Sequence, residues 1–242
     1  MLALANPYDE HADLADRARS YLSINCSHCH QNGAGGTATI DLRFEASVEE
    51  MKSIAAPPAQ GLFQIDGGAI IVPGQPSKSV LLYRTACSGR GRMPHIGSTE
   101  VDVAGVKLLR KWIASLAESP ESRDESREPT PLSDALKSTE AALRVVAMLD
   151  EDRIDASKRV ELLAMARESV PEIRNLFVRF QPAEYRRTLN RTPDAATILA
   201  TPGDATRGAA IFSNKSRQCI TCHKIGSEVA RSARLWTMLA SG

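Results

Sequence analysis

Four of the five cysteines fall into two Cys-x-x-Cys-His runs, Cys26-Ser27-His28-Cys29-His30 near the start and Cys219-Ile220-Thr221-Cys222-His223 near the end. Two cysteines one helical turn apart can each form a thioether bond to a vinyl group of a haem, and the histidine that follows then faces the iron as proximal ligand. At this chain's cysteine and histidine content, one such run arises by chance with a probability on the order of one in five hundred, so two chance matches are not credible. Other chemistries use the same residues. Four cysteines in two pairs could hold a structural zinc, although zinc knuckles lie closer together and need no histidine after each pair. A thioredoxin-like dithiol needs a hydrophobic strand before the motif, which neither run has.

An iron that shuttles electrons also needs a sixth ligand. Met93 sits in Gly89-Arg90-Gly91-Arg92-Met93-Pro94-His95, a polar, glycine-flanked loop. Pro94 biases Met93 toward an extended conformation, which suits a side chain reaching out of a loop, whereas a methionine filling a core gap fits poorly there. His95 is the competing candidate.

The elements that must position these residues follow from periodicity. Residues 12–24 read as a helix with Ala15, Ala18 and Leu22 on one face, running into the first motif. Residues 101–116 read as another, with Val106, Leu109, Trp112, Ile113 and Leu116 as its apolar stripe. Between them the run from Ile70 to Arg84 reads as a proline and glycine turn followed by a short helix. In this order of parts, residues 9–117 resemble a class I cytochrome c domain. The resemblance implies a mainly α fold wrapped around haem c, ligation by His30 and Met93, and close helix approach with the small Ala18 under Trp112.

Residues 118–133 are rich in Glu, Ser, Arg, Asp and Pro and read as a disordered linker. Residues 134–200 regain helical periodicity, through Leu143, Val146, Ala147 and Met148 and then Val160, Leu163, Ala164 and Ala166, and read as a helical connector that spaces and packs two haem units. Residues 201–242 repeat the opening of the first domain, with a small residue and a bulky one four positions apart before Cys219, as Ala18 and Leu22 are before Cys26. A second haem on Cys219, Cys222 and His223 is therefore expected in an incomplete second cytochrome c domain, where Met238 is too close to His223 to serve readily as the sixth ligand. Cys87 is expected to be a buried small hydrophobe.

A net charge of +1 argues against nucleic-acid binding. No apolar run approaches the roughly 20 residues of a membrane span, and the first residues are too short for a signal peptide's hydrophobic region. Because cytochromes c mature outside the bacterial inner membrane, the resemblance implies a periplasmic location and a chain that is a fragment of a longer exported protein. It implies an electron carrier rather than an enzyme, taking electrons from a dehydrogenase and passing them to an acceptor protein. The alternatives are the haem-bearing part of a dihaem peroxidase or of a larger dehydrogenase, and a non-functional fragment of such a protein.

Overall fold

The computed structural model describes residues 3–34, 36–95, 100–117, 131, 133–186, 195–200 and 202–214, in which regular structure is helical and strand pairing is limited to two isolated bridges. Helix α1 spans Leu14–Cys26, α2 Val80–Ala86, α3 Val103–Ser115, α4 Thr139–Asp150, α5 Ala156–Arg167, α6 Pro171–Phe177, α7 Ala195–Ala200 and α8 Ala205–Ser213. The chain divides into two compact units, residues 1–188 and 189–242.

Helix α1 starts where Asp13 accepts hydrogen bonds from the backbone N–H of Ala15 (2.9 Å) and Asp16 (3.1 Å), meeting two donors that the first turn leaves unpaired. Its buried face is Ala18, Tyr21 and Leu22, together with Ser20; Ala15, expected on that face, is exposed. Helix α3 is capped by Asp102, which accepts from Gly105 N–H at 2.9 Å, and it buries the expected Val106, Leu109, Trp112 and Ile113.

Helices α1 and α3 pack directly against each other. Ala18 and Trp112 are both buried in the shared core, and a second close approach lies on the same two helices: a β-carbon on Gly105 would come within 2.4 Å of the Tyr21 ring and its hydroxyl. Here the small residue belongs to α3 and the aromatic to α1, a contact that carried no expectation.

The middle of this unit is irregular and held by backbone hydrogen bonds. Leu42 N–H donates to His30 O (2.9 Å), Ala55 N–H to Ile71 O (2.8 Å) and Ile70 N–H to Ala56 O (2.8 Å). The proline and glycine turn at residues 72–75 docks on α3 through Gly74 N–H to Ile113 O (2.9 Å), with Gly74 at φ 73°, a left-handed conformation that costs glycine little. Ser79 is buried at its base and donates to Gln75 O at 3.0 Å.

The segment expected as a connector from residue 134 belongs to the first compact unit as far as Thr188, where the two units divide. Leu143, Val145, Val146 and Leu149 of α4, Leu162 and Leu163 of α5, and Ile173, Leu176 and Phe177 of α6 join one hydrophobic cluster with Leu22, Ile71 and Trp112. Each buried side chain of this size contributes roughly 1.5–3 kcal/mol, far more than a solvated linker could contribute. Val160, expected on the apolar face of α5, is 71% exposed. A buried, two-pronged ion pair, Arg179 to Asp150 at 2.6 and 2.7 Å, ties the end of α4 to the turn after α6.

In the second unit, Asp204 caps α8 by accepting from Arg207 N–H at 2.8 Å, as Asp13 caps α1. The helix expected before the second motif is therefore present. Cys219, Cys222, His223 and Met238 lie outside the described residues, as does most of the 118–133 stretch.

Candidate functional site

The first motif begins on the last residue of α1 and extends its winding. His30 N–H donates to Cys26 O at 2.9 Å and Cys29 N–H to the same oxygen at 3.1 Å, so the two sulfurs and the imidazole leave one compact turn. Ser27 Oγ donates back to Ser23 O at 2.6 Å, which continues the helix surface into the motif. Cys26 and Cys29 are free thiols, the first half-buried and the second exposed. Burial, with a smaller effect from Cys29, pushes the Cys26 thiol up to about 12. A thiol so reluctant to ionise is a poor redox nucleophile, which tells against the dithiol reading. Among the described residues no three His, Cys, Asp or Glu side chains gather as a metal site, and Cys219 and Cys222, the other half of a four-thiolate site, lie outside them.

His30 is half-buried, and its Nδ1 is buried without a hydrogen-bond partner. The loop after the motif folds back over it, with Gly36 N–H donating to Cys29 O at 3.0 Å. A β-carbon on Gly36 would come within 2.5 Å of that oxygen and 3.1 Å of His30 Nδ1, so no other residue type fits without a shift. Burial holds the His30 pKa below its ordinary value, and the charges of Arg84, His28 and His95 lower it further. The imidazole is therefore neutral near pH 7, the form that binds a metal.

The same electrostatic neighbourhood brings in the Met93 loop. Met93 N–H donates to Arg84 O at 2.8 Å, at the end of α2, and the Met93–Pro94 peptide is cis. Gly89 and Gly91 take φ of 73° and 98°, and a β-carbon on Gly91 would meet the Phe63 ring at 2.8 Å. The buried Arg92 guanidinium donates to the carbonyls of Cys87 (3.2 Å) and Glu100, bracing the loop from inside. Met93 is half-buried and His95 is exposed. Cys87 is fully buried, as expected of a small hydrophobe.

Two residues around the site carried no expectation. The Phe63 ring stacks on Tyr83 with centroids 4.6 Å apart, and the Arg84 guanidinium lies 5.3 Å from the Phe63 centroid. Arg84 stands in the sequence as the last residue of the run read as turn and helix; a cation among Val80, Leu81, Leu82 and Tyr83 was the available signal. Helices α4 and α6 form the wall behind these residues. Thr139 Oγ1 donates to Phe63 O (2.8 Å), Asp66 N–H to Glu140 Oε1 (2.7 Å), Tyr83 OH to Glu172 O (3.1 Å) and Ser88 N–H to Asn175 O (2.8 Å).

The donor set fits a covalently attached haem. It offers two unpaired thiols on one turn, a neutral imidazole with an unsatisfied buried nitrogen directly after them, and a thioether on a braced loop in the same neighbourhood. Comparison with protein-family models, with curated proteins and with solved structures finds no match to this chain.

Proposed function

We propose that the first unit is a cytochrome c domain that carries haem c on Cys26 and Cys29, with His30 as proximal and Met93 as distal ligand. The observation that supports this most is the Cys26–His30 turn at the end of α1, with its free thiols and neutral, unpartnered imidazole. The motif at the end of a helix that packs on α3, followed by a wrapping segment and a methionine loop, has the order of parts of the class I fold. A second haem on Cys219, Cys222 and His223 belongs to the same proposal.

When bound, the haem iron supplies a reversible one-electron change. The chain's part is to hold and bury it. Cys26 and Cys29 would hold the group through thioether bonds at the end of α1, and His30 would offer it a neutral nitrogen. Arg84 O and Arg92 hold the Met93 loop, so the thioether is preorganised. Cys29 and His28 are exposed, so electrons would pass at the motif's solvent-facing edge to and from docked redox proteins, a dehydrogenase donor and an acceptor. Among the described residues no helix is long and apolar enough to cross a membrane. On this reading the haem would be attached in the periplasm or another extracytoplasmic compartment.

The test is a redox titration of matured protein beside Met93→Ala. The unaltered ferric protein should show the near-infrared charge-transfer band of sulfur-to-iron ligation and a reversible one-electron wave. Met93→Ala should lose the band and titrate at a lower potential, because a methionine ligand favours the reduced iron. A variant that keeps the band contradicts Met93 as ligand, and the lack of any reversible wave contradicts electron transfer.

A further inference from the structure

Phe63 and Gln64 both lie in the left-handed region, at φ 53° and 58°, inside a tight turn closed by Ile65 N–H to Leu62 O at 3.0 Å. A turn with positive φ at both central residues is normally built from asparagine and glycine, because a β-carbon there crowds the following carbonyl oxygen. A bulky aromatic in that conformation is a strained exception, and such strain persists only where the surroundings impose it.

Helices α4 and α6 impose it. Thr139 Oγ1 donates to Phe63 O at 2.8 Å, and its hydroxyl is spared for this because the neighbouring Ser138 caps α4 by accepting from Ala141 N–H at 3.1 Å. Thr139 is fully buried, so water cannot replace the bond. Glu140 Oε1 accepts from Asp66 N–H at 2.7 Å and Glu172 Oε2 from Gln64 Nε2 at 3.3 Å, which ties the rest of the turn to the same two helices.

The turn presents the Phe63 ring to the methionine loop. The ring stacks on Tyr83, which α6 holds through its hydroxyl to Glu172 O, and a β-carbon on Gly91 would come within 2.8 Å of Phe63 Cε1, two residues before Met93. The loop also begins on α6, where Ser88 N–H donates to Asn175 O at 2.8 Å. The two helices therefore reach the Met93 loop directly at Ser88 and through the ring at Gly91.

We infer that Phe63 is a positioning residue for Met93, a wedge kept against the methionine loop in a strained conformation by Thr139, an assignment that rests on the haem reading above. Helices α4 and α6 are then a clamp that sets how readily the distal thioether leaves the iron. Released, the turn relaxes, the ring withdraws from Gly91 and the loop loosens.

The experiment compares the matured full chain with Thr139→Val, Thr139→Ser, Phe63→Leu and the double variant Thr139→Val, Gln64→Gly. Hydrogen exchange is followed at Met93 N–H, with Leu109 N–H of α3 as reference, and cyanide is used to displace the methionine from the ferric iron. Thr139→Val keeps the shape of the side chain but removes the donor. Its Met93 N–H should exchange about tenfold faster with Leu109 unchanged, and cyanide should bind about tenfold faster. Thr139→Ser retains the hydroxyl and should match the unaltered protein. Phe63→Leu should loosen the loop as Thr139→Val does, and it decides if the valine variant fails to fold. Gln64→Gly removes strain from the turn, so the double variant should return most of the way to the unaltered rates. Equal acceleration at Met93 and Leu109 marks a loss of stability alone and overturns the inference, as do unchanged rates in Thr139→Val and Phe63→Leu or a failure of Gln64→Gly to rescue. Absence of haem from the unaltered protein overturns the haem reading and the ligand role with it, an outcome distinct from a haem protein whose Met93 loop ignores residue 139.

Discussion

Gly105 on α3 lies against the ring of Tyr21 on α1 so closely that a β-carbon has no room. The crossing is fixed chemically as well as sterically. Asp102 caps α3 through Gly105 N–H (2.9 Å) and accepts from Tyr8 OH at 2.7 Å, and burial together with the Asp102 charge pushes the pKa of the Tyr21 hydroxyl well up. Since α1 ends in the first motif, this crossing sets where Cys26 and His30 stand.

Gly105→Ala should therefore destabilise the unit by about 1–3 kcal/mol through overpacking, less the roughly 1 kcal/mol that alanine gains over glycine within a helix. Denaturant unfolding measures this. Combining it with Tyr21→Leu should cost less than the sum of the two single changes, because the clash is shared. Strict additivity would show that the ring and the glycine do not constrain each other.

A chain ending at residue 117 should lose the site's integrity, whereas one ending at 188 should keep it. Thr139, Glu140, Glu172 and Asn175 hydrogen-bond the segments around Phe63, Tyr83 and Ser88, and α4 and α6 share the core with α1 and α3. Comparing haem incorporation and cooperative unfolding of the two truncations is the check. Equal stability of the shorter one would return residues 134–186 to the role of a spacer.

Alkaline pH gives a third outcome. Burial raises the Cys87 thiol from 9.0 to about 12, so the unfolded chain loses this proton near pH 9 while the folded chain keeps it until about pH 12. Its contribution is thus fully present below pH 9 and is lost as pH rises through about 12. Cys87→Ala should flatten the fall of unfolding free energy between those values. Identical slopes for both proteins would mean that the thiol ionises without unfolding.

The motif was legible because its signal is local: covalent spacing demands Cys26, Cys29 and His30 in one turn, and no tertiary context is needed to see it. Helix α3 was legible because Val106, Leu109, Trp112 and Ile113 repeat at helical spacing. The register of the α1–α3 crossing was not, since a sequence shows that small and aromatic residues exist on two helices but not which of them meet. Gly105 against Tyr21 carried no expectation for that reason. The packing of α4 and α6 was hidden for the same reason: Thr139 to Phe63 and Glu172 to Tyr83 are long-range pairs between segments that each read as self-sufficient.

The central claim is covalent haem on the first motif. It is tested most directly by exporting the chain in a host with cytochrome c maturation machinery and analysing the denatured product by haem-peroxidase staining and peptide mass spectrometry. The account predicts a stained band and a haem-bearing peptide containing Cys26 and Cys29, both lost when the two cysteines are changed to alanine. An unstained product whose Cys26 and Cys29 are unmodified, or which binds zinc in place of iron, would contradict it.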